Sequence, residues 1–269
     1  MRKILFALAV LTGLSMADAF AQEREVAIVA HRGFWNCEQG GMAKNSIASL
    51  EQAQNNNFWG SEFDVNMTKN GELLVFHDSR IAGKSIEKSS AKDFDNHRLA
   101  NGESIPTIDE YLQQAQKCPK TVLVYELKSH SDAKTETKAV KASIKKLKEY
   151  GFFSPDKVIF IAFSRHVCNE FARLAPGFTV QYLDSDVDPD DLVKSDVNGI
   201  DTHHKVLERK PKIYERARAN GMSVNTWTVN KEEDIRKMIE LGVDQITTDV
   251  PLLVRQILQE MGIKEKVAK

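Results

Sequence analysis

Cysteine is scarce in this chain of 269 residues: Cys37, Cys118 and Cys168 are an odd count, and no two stand in Cys-x-x-Cys spacing. At most one disulfide could form within a monomer, which excludes a disulfide scaffold. A broad excess of basic charge is also missing. With a formal net charge of −1, the chain lacks the field that nucleic-acid binding normally needs. No apolar run approaches the roughly 20 residues required to span a bilayer. Neither a Pro/Gly/Ser-rich stretch nor a shift of composition divides the sequence, so a single domain is expected.

What is present begins with a leader pattern. Arg2 and Lys3 precede an apolar run from Ile4 to Leu14, and Ala19-Phe20-Ala21 places small residues at the positions a signal peptidase reads. Residues 1–21 are therefore expected to be a signal peptide, with cleavage before Gln22 and residues 22–269 as the exported domain, periplasmic or secreted. No cysteine lies near the cleavage point, so no lipid anchor is expected. Loss of Arg2, Lys3 and Asp18 leaves the mature chain one unit more negative.

The mature sequence alternates short β-rich runs with helix-like runs, the order of an α/β fold. Eight runs read as barrel strands: Val26–Ala30, Ser61–Val65, Thr121–Leu127, Val158–Phe163, Thr179–Leu183, Gly199–Thr202, Ser223–Thr228 and Asp244–Thr248. Helix-like stretches fall between most of them: Asn45–Asn56, Ile108–Gln116, Lys134–Tyr150, Arg165–Leu174, Pro211–Asn220, Lys231–Leu241 and Pro251–Met261. Pro211 and Pro251 suit first-turn positions, and Asn230 suits an N-cap. One run breaks the rhythm. Glu72–His77 follows Val65 too closely for a parallel crossover, so it should return as an antiparallel hairpin through Asn70-Gly71. Subtracting it leaves the eight parallel strands of a TIM-type (β/α)8 barrel. Ile81–Pro106 reads as an inserted segment of loops and a short helix.

A TIM barrel builds its active site at the C-terminal ends of its strands. Those ends carry Ala30-His31-Arg32-Gly33, Glu62-Phe63-Asp64, His77-Asp78 and Glu126-Leu127-Lys128. The two-residue period of a strand puts Glu62 and Asp64 on one face, and likewise Glu126 and Lys128. So much charge on one rim needs a ligand or a metal. The carboxylates offer hard oxygen ligands suited to one divalent cation, Mg²⁺ or Ca²⁺. Arg32 could grip a phosphate oxygen with its planar fork, and Lys128 could add a point charge. His31 and His77 could act as base and acid. Each piece alone has a duller meaning: a structural histidine, a solvated strand face, a surface ion pair. Their arrival at strand ends in this order is what carries the argument.

The segments AHRG, GSEFDVNMTKNGELLVFHD, YELK, WTVN and ITTDVP resemble, in order and spacing, those of the glycerophosphodiester phosphodiesterases, within the phosphatidylinositol-specific phospholipase C-like superfamily. The similarity runs from about Val26 to Pro251. It implies a TIM barrel with an insertion after the His-Asp motif. It also implies metal-dependent hydrolysis of glycerophosphodiesters, the deacylated phospholipids, to glycerol 3-phosphate and an alcohol. By position, His31 and His77 match the family's catalytic histidines, with His77 as base and His31 as acid. Glu62, Asp64 and Glu126 match its metal ligands, Arg32 and Lys128 its phosphate contacts, and Trp227 an aromatic lining its pocket.

The chain departs from the family after the His-Arg-Gly loop. Where Pro-Glu-Asn-Thr is usual, this sequence has Ala43-Lys44-Asn45-Ser46 behind a longer loop. An acidic position near the metal has become a lysine, and Glu38 is the candidate replacement. His203 or His204 is a secondary candidate for substrate contact, and Ser164 a candidate helix cap. Two other functions compete with hydrolysis. A substrate hydroxyl could attack phosphorus to give a cyclic phosphate, or Lys44 could have left a non-catalytic binding protein on the same fold.

Overall fold

The computed structural model describes residues 24–268, and the expected signal peptide lies outside them. The chain runs β1 (Glu25–Ala30), α1 (Ile47–Asn55), β2 (Gly60–Met67), β3 (Leu73–Val75), a small hairpin of β4 (Arg80–Ile81) and β5 (Lys84–Ser85), then α2 (Ile108–Lys117). It continues through β6 (Val122–Leu127), α3 (Ala133–Glu149), β7 (Val158–Ala162), α4 (Arg165–Leu174), β8 (Thr179–Tyr182), α5 (Pro189–Leu192) and β9 (Gly199–His203). The last elements are α6 (His204–Arg209), α7 (Pro211–Ala219), β10 (Ser223–Trp227), α8 (Glu232–Leu241), β11 (Gln245–Thr248), α9 (Pro251–Glu260) and β12 (Lys264–Lys266).

Eight strands pair in parallel around a ring in the order β1-β2-β6-β7-β8-β9-β10-β11, and β1 closes it by bonding both β2 and β11. The eight runs picked out in the sequence are these eight strands. β3 returns antiparallel to β2, with Val65 opposite Val75. The turn between them differs in detail from a two-residue hairpin. Gly71 N–H bonds Thr68 O, and Gly71 alone takes positive φ, at 87°. Lys69 and Asn70 thus occupy the turn's centre, and the glycine supplies the left-handed residue of a three-residue connection. β12, which the sequence pattern did not reveal, adds a short parallel edge to the start of β1. The insertion has a core of its own, Ile81, Ile86, Phe94 and Ile105, against Leu74 of β3.

Two hydrophobic layers follow from the strand alternation. Outward residues such as Phe63, Tyr125, Phe160 and Val180 pack beneath the helices. The rings of Phe160 and Phe171 stack at 4.0 Å, fastening α4 to β7, and deleting such a buried ring typically costs about 3–5 kcal/mol. Inward residues Ala27, Val29, Val122, Val124, Ile159 and Ile161 fill the barrel on the side of β1, β6 and β7. On the other side the filling is polar. Gln181 donates to Ser223 and Gln245, and Asn225 to Thr247, at 3.0–3.1 Å.

Helix starts carry local signals. Thr107 and Glu110 make a capping box on α2, Asp132 caps α3, and Ser164 caps α4. Pro211 and Pro251 stand in the first turns of α7 and α9. Asn230 is not a cap. Lys231 occupies that position in α8, and the Asn230 side chain is spent on the loop after β11, accepting from Thr248 Oγ1 and Asp249 N–H.

Candidate active site

β1 ends in a turn that aims two side chains at the mouth of the barrel. Arg32 and Gly33 both take positive φ, 56° and 76°. A Cβ on residue 33 would lie 2.3 Å from Ser49 Oγ and 2.6 Å from Ser49 C. Only glycine lets the strand end pass this close to α1. The left-handed Arg32 backbone turns its N–H onto Glu62 Oε2 at 2.8 Å, so a sparsely populated conformation is held by the site it serves. His31 Nδ1 meets Asp249 Oδ1 at 2.8 Å. That carboxylate is gripped in turn by Trp35 Nε1 at 3.1 Å and Asn230 Nδ2 at 2.7 Å. Burial would raise the Asp249 pKa, but the hydrogen bond and charge of His31, with Asn230 and Trp35, prevail and hold it at about 2.

β2 and β6 lie in register with Asp64 beside Glu126. Oxygens of Glu62, Asp64 and Glu126 come within 4.8 Å of one another, and all three residues are buried. Like charges this close are destabilising unless cations offset them. Lys128 Nζ lies 2.5 Å from Glu126 Oε1 and 3.2 Å from Asp64 Oδ1, and Arg32 Nε is 3.4 Å from Asp64 Oδ2. Two cations do not neutralise three carboxylates. Burial, then the charges of Asp64 and Glu126, push Glu62 well above the usual carboxylate range; burial and Asp64 push Glu126 up to about 7. Glu62 Oε1 is buried without a hydrogen-bond partner. A set of hard oxygen donors, short of positive charge and with one lone oxygen, fits a divalent cation. Among the described residues this is the one such cluster.

The third strand end comes from the hairpin. Phe76 N–H bonds Asp64 O, and Asn66 Nδ2 donates to Phe76 O at 2.7 Å. These bonds bring His77 over the mouth, where Nδ1 lies 2.6 Å from Asp78 Oδ1. Burial of the imidazole, with the charges of Lys128 and Arg32 adding to it, holds the His77 pKa below the ordinary histidine value against the charge of Asp64 and the bond to Asp78. His31, Arg32, Glu62, His77, Glu126 and Lys128 face one cavity of about 180 Å³ with Ile161, Phe163, Leu183, Asp201 and Trp227 on its other wall. Asp64 stands behind them, tied to Asn45 by Nδ2 to Oδ2 at 2.8 Å.

The structure therefore brings His31, His77, Glu62, Asp64, Glu126, Arg32, Lys128 and Trp227 together. Other candidates stand apart. Lys44 is exposed, with Nζ 4.4 Å above the Trp35 ring, and takes no part in the carboxylate cluster. Glu38 is likewise exposed and outside the cluster, so it replaces nothing. His204 is buried between Trp227 O and Asp234, and His203 accepts from Lys205 N–H; neither lines the cavity. Ser164, besides capping, donates to Glu136. Sequence reasoning missed Asp249 and Asn45. The acidic residue in ITTDVP and the asparagine in AKNS were in view, yet both act from turns outside the strand pattern.

A sequence model of the Glycerophosphoryl diester phosphodiesterase family matches residues 31–253. A glycerophosphodiester phosphodiesterase of Caldanaerobacter subterraneus subsp. tengcongensis is 28% identical over 252 residues, spanning 87% of this chain and 98% of that one. The crystal structure of a glycerophosphodiester phosphodiesterase from Parabacteroides distasonis superposes with a TM-score of 0.85 at 36% identity, covering 89% of this chain and 99% of the other. An Oleispira antarctica phosphodiesterase, solved in complex with the product sn-glycerol-3-phosphate, shares the fold at 22% identity and a TM-score of 0.72, over 87% and 96% of the two chains.

Proposed function

Because the chain belongs to the glycerophosphoryl diester phosphodiesterase family and is an enzyme of that class, we propose that it hydrolyses glycerophosphodiesters to glycerol 3-phosphate and an alcohol, using one Mg²⁺ or Ca²⁺ ion and two histidines. The observation that carries this reading is the single cavity in which Glu62 and Glu126, with Asp64 of the same cluster buried behind them, face two imidazoles, a guanidinium and an ammonium. Glu62, Asp64 and Glu126 would hold the cation, which supplies charge to polarise a phosphoryl oxygen. Arg32 and Lys128 bind the phosphate oxygens, the first as a planar fork and the second as a point charge. His77, whose pKa burial lowers toward the neutral imidazole a base needs, takes a proton from the attacking water. His31 gives one to the departing alkoxide, and the Asp249 carboxylate on Nδ1 fixes its tautomer and orientation. The apolar wall of Ile161, Phe163, Leu183 and Trp227 excludes water from that side. Export through the leader at residues 1–21 belongs to the same proposal, motivated by the basic start and the Ala19-Phe20-Ala21 site. An intact Met1 on cytosolic protein would contradict export.

The experiment is a panel of glycerophosphodiesters assayed with chelator, then with Mg²⁺ or Ca²⁺ restored, and products read by phosphorus NMR. Activity should vanish and return, with glycerol 3-phosphate formed. Full activity of Glu126→Gln in chelator would remove the cation from the mechanism. A cyclic phosphate as end product would replace water by a substrate hydroxyl as nucleophile.

A further inference from the structure

Asp201 is a buried acid that the mechanism above does not use. It sits on β9, which lies directly across the eight-stranded ring from β2 and its Glu62 and Asp64. Asp201 is only 1% exposed, yet it lines the catalytic cavity, and its Oδ1 has no hydrogen-bond partner. Leaving such an oxygen unpaired is unfavourable, and native proteins do it rarely outside sites that receive something. The surroundings say what could be received. Arg32, Lys128 and the two histidines occupy one side of the cavity, and Ile161, Phe163, Leu183 and Trp227 form the other. Asp201 is the acid on that apolar side. Trp227 fixes the place by donating Nε1–H to Asp201 O at 2.9 Å. A cavity of about 180 Å³ is small beside the roughly 300–1,000 Å³ of drug-sized ligand sites, so one short arm of a diester enters and the other stays outside.

We propose that Asp201 determines specificity: its Oδ1 accepts a hydrogen bond from a hydroxyl of the short polyol arm of the diester, laid against the apolar wall. The inference rests on the phosphodiesterase reading and deepens it by naming the arm that goes in. Burial, with the charge of Glu126 adding and a hydrogen bond from Asn225 opposing, pushes the Asp201 carboxyl well above the usual range. A carboxyl oxygen accepts from a hydroxyl in either protonation state, which matches the ligand.

The test compares 2,3-dihydroxypropyl 4-nitrophenyl phosphate with propyl 4-nitrophenyl phosphate, which share a leaving group and differ only in the hydroxyls. Wild type should prefer the dihydroxypropyl ester in kcat/KM by about 10- to 100-fold. Asp201→Ala should lose that preference, chiefly through a raised KM for the dihydroxypropyl ester, so that the kcat/KM values of the two esters converge to within about twofold of each other. Asp201→Asn keeps an acceptor and a donor in place and should retain the preference within about threefold. If Asp201→Ala does not fold, Asp201→Ser, which keeps a polar atom without its reach, carries the comparison. Equal losses on both esters would overturn the proposal and make Asp201 a support of the barrel. A wild type that hydrolyses both without preference also overturns it and leaves the phosphodiesterase reading standing. Hydrolysis of neither ester, nor of any natural glycerophosphodiester, sinks both.

Discussion

The two histidines at the barrel mouth are held in opposite ways. The His31 side chain is 15% exposed, and its partner Asp249, 218 residues away in the chain, is itself gripped by Trp35 and Asn230. The His77 side chain is 42% exposed, and its partner is the next residue, Asp78, 68% exposed. One socket is assembled from distant segments and fixed by tertiary structure. The other is a local pair at the surface. A group that must hold a proton toward a departing oxygen gains from fixed geometry. A group that must meet water gains from access. The difference in construction thus follows the proposed division of labour.

Removing the imidazoles breaks the comparison most severely. General acid–base help is typically worth about 10²–10⁴-fold, and both His31→Ala and His77→Ala should lose that much on glycerophosphocholine. A nitrophenolate leaves without a proton, so on a nitrophenyl diester His31→Ala should keep substantial activity and His77→Ala should not. Equal losses by both variants on both substrates would end the acid–base pairing. The next effect lies one residue behind. Asp249→Ala should lower kcat by about a hundredfold by freeing the His31 tautomer, whereas Asp78→Ala, losing a solvent-exposed partner, should stay within about threefold. A parity of the two losses would mean that the sockets do not differ.

Stability sharpens the same contrast. Loss of the charge-assisted bonds around Asp249 in Asp249→Asn should lower stability by about 1–2 kcal/mol at pH 7, read from denaturant midpoints. The Asp249 carboxyl titrates at about 2 in the folded protein, below the ordinary 3.8. Its contribution is therefore complete above about pH 4 and is lost as the pH falls toward 2. The gap between wild type and variant should close over that window, and a gap unchanged at pH 2 would contradict the pairing. The smallest effect concerns the loop beside His31. Lys44→Glu should alter Mg²⁺ or Ca²⁺ affinity by less than about threefold, because Lys44 points at Trp35 rather than at the carboxylates.

The sequence announced residues whose position follows from strand period. Glu62, Asp64, Glu126 and Lys128 alternate with apolar neighbours, and that alternation already told which way they face. Asp249, Asn45 and Asn230 carry no such signal. Asn45 reaches Asp64 from a left-handed turn with φ of 59°, and Asn230 forgoes the cap its position suggests because Asp249 competes for its side chain. Their roles depend on partners 18 or more residues away along the chain, 218 in the case of Asp249 and His31, which no local pattern encodes. The same limit explains α6, which follows β9 without a loop, and β12, a charged three-residue edge whose only strand signal is β1 beside it.

Lys128 has a consequence for the seam between two strands. Its ammonium bridges Asp64 and Glu126 across β2 and β6, so like charges that would push neighbouring strands apart are opposed from within the chain. The site is thereby also a staple: the side chains that concentrate charge at the mouth help hold closed the ring that carries them.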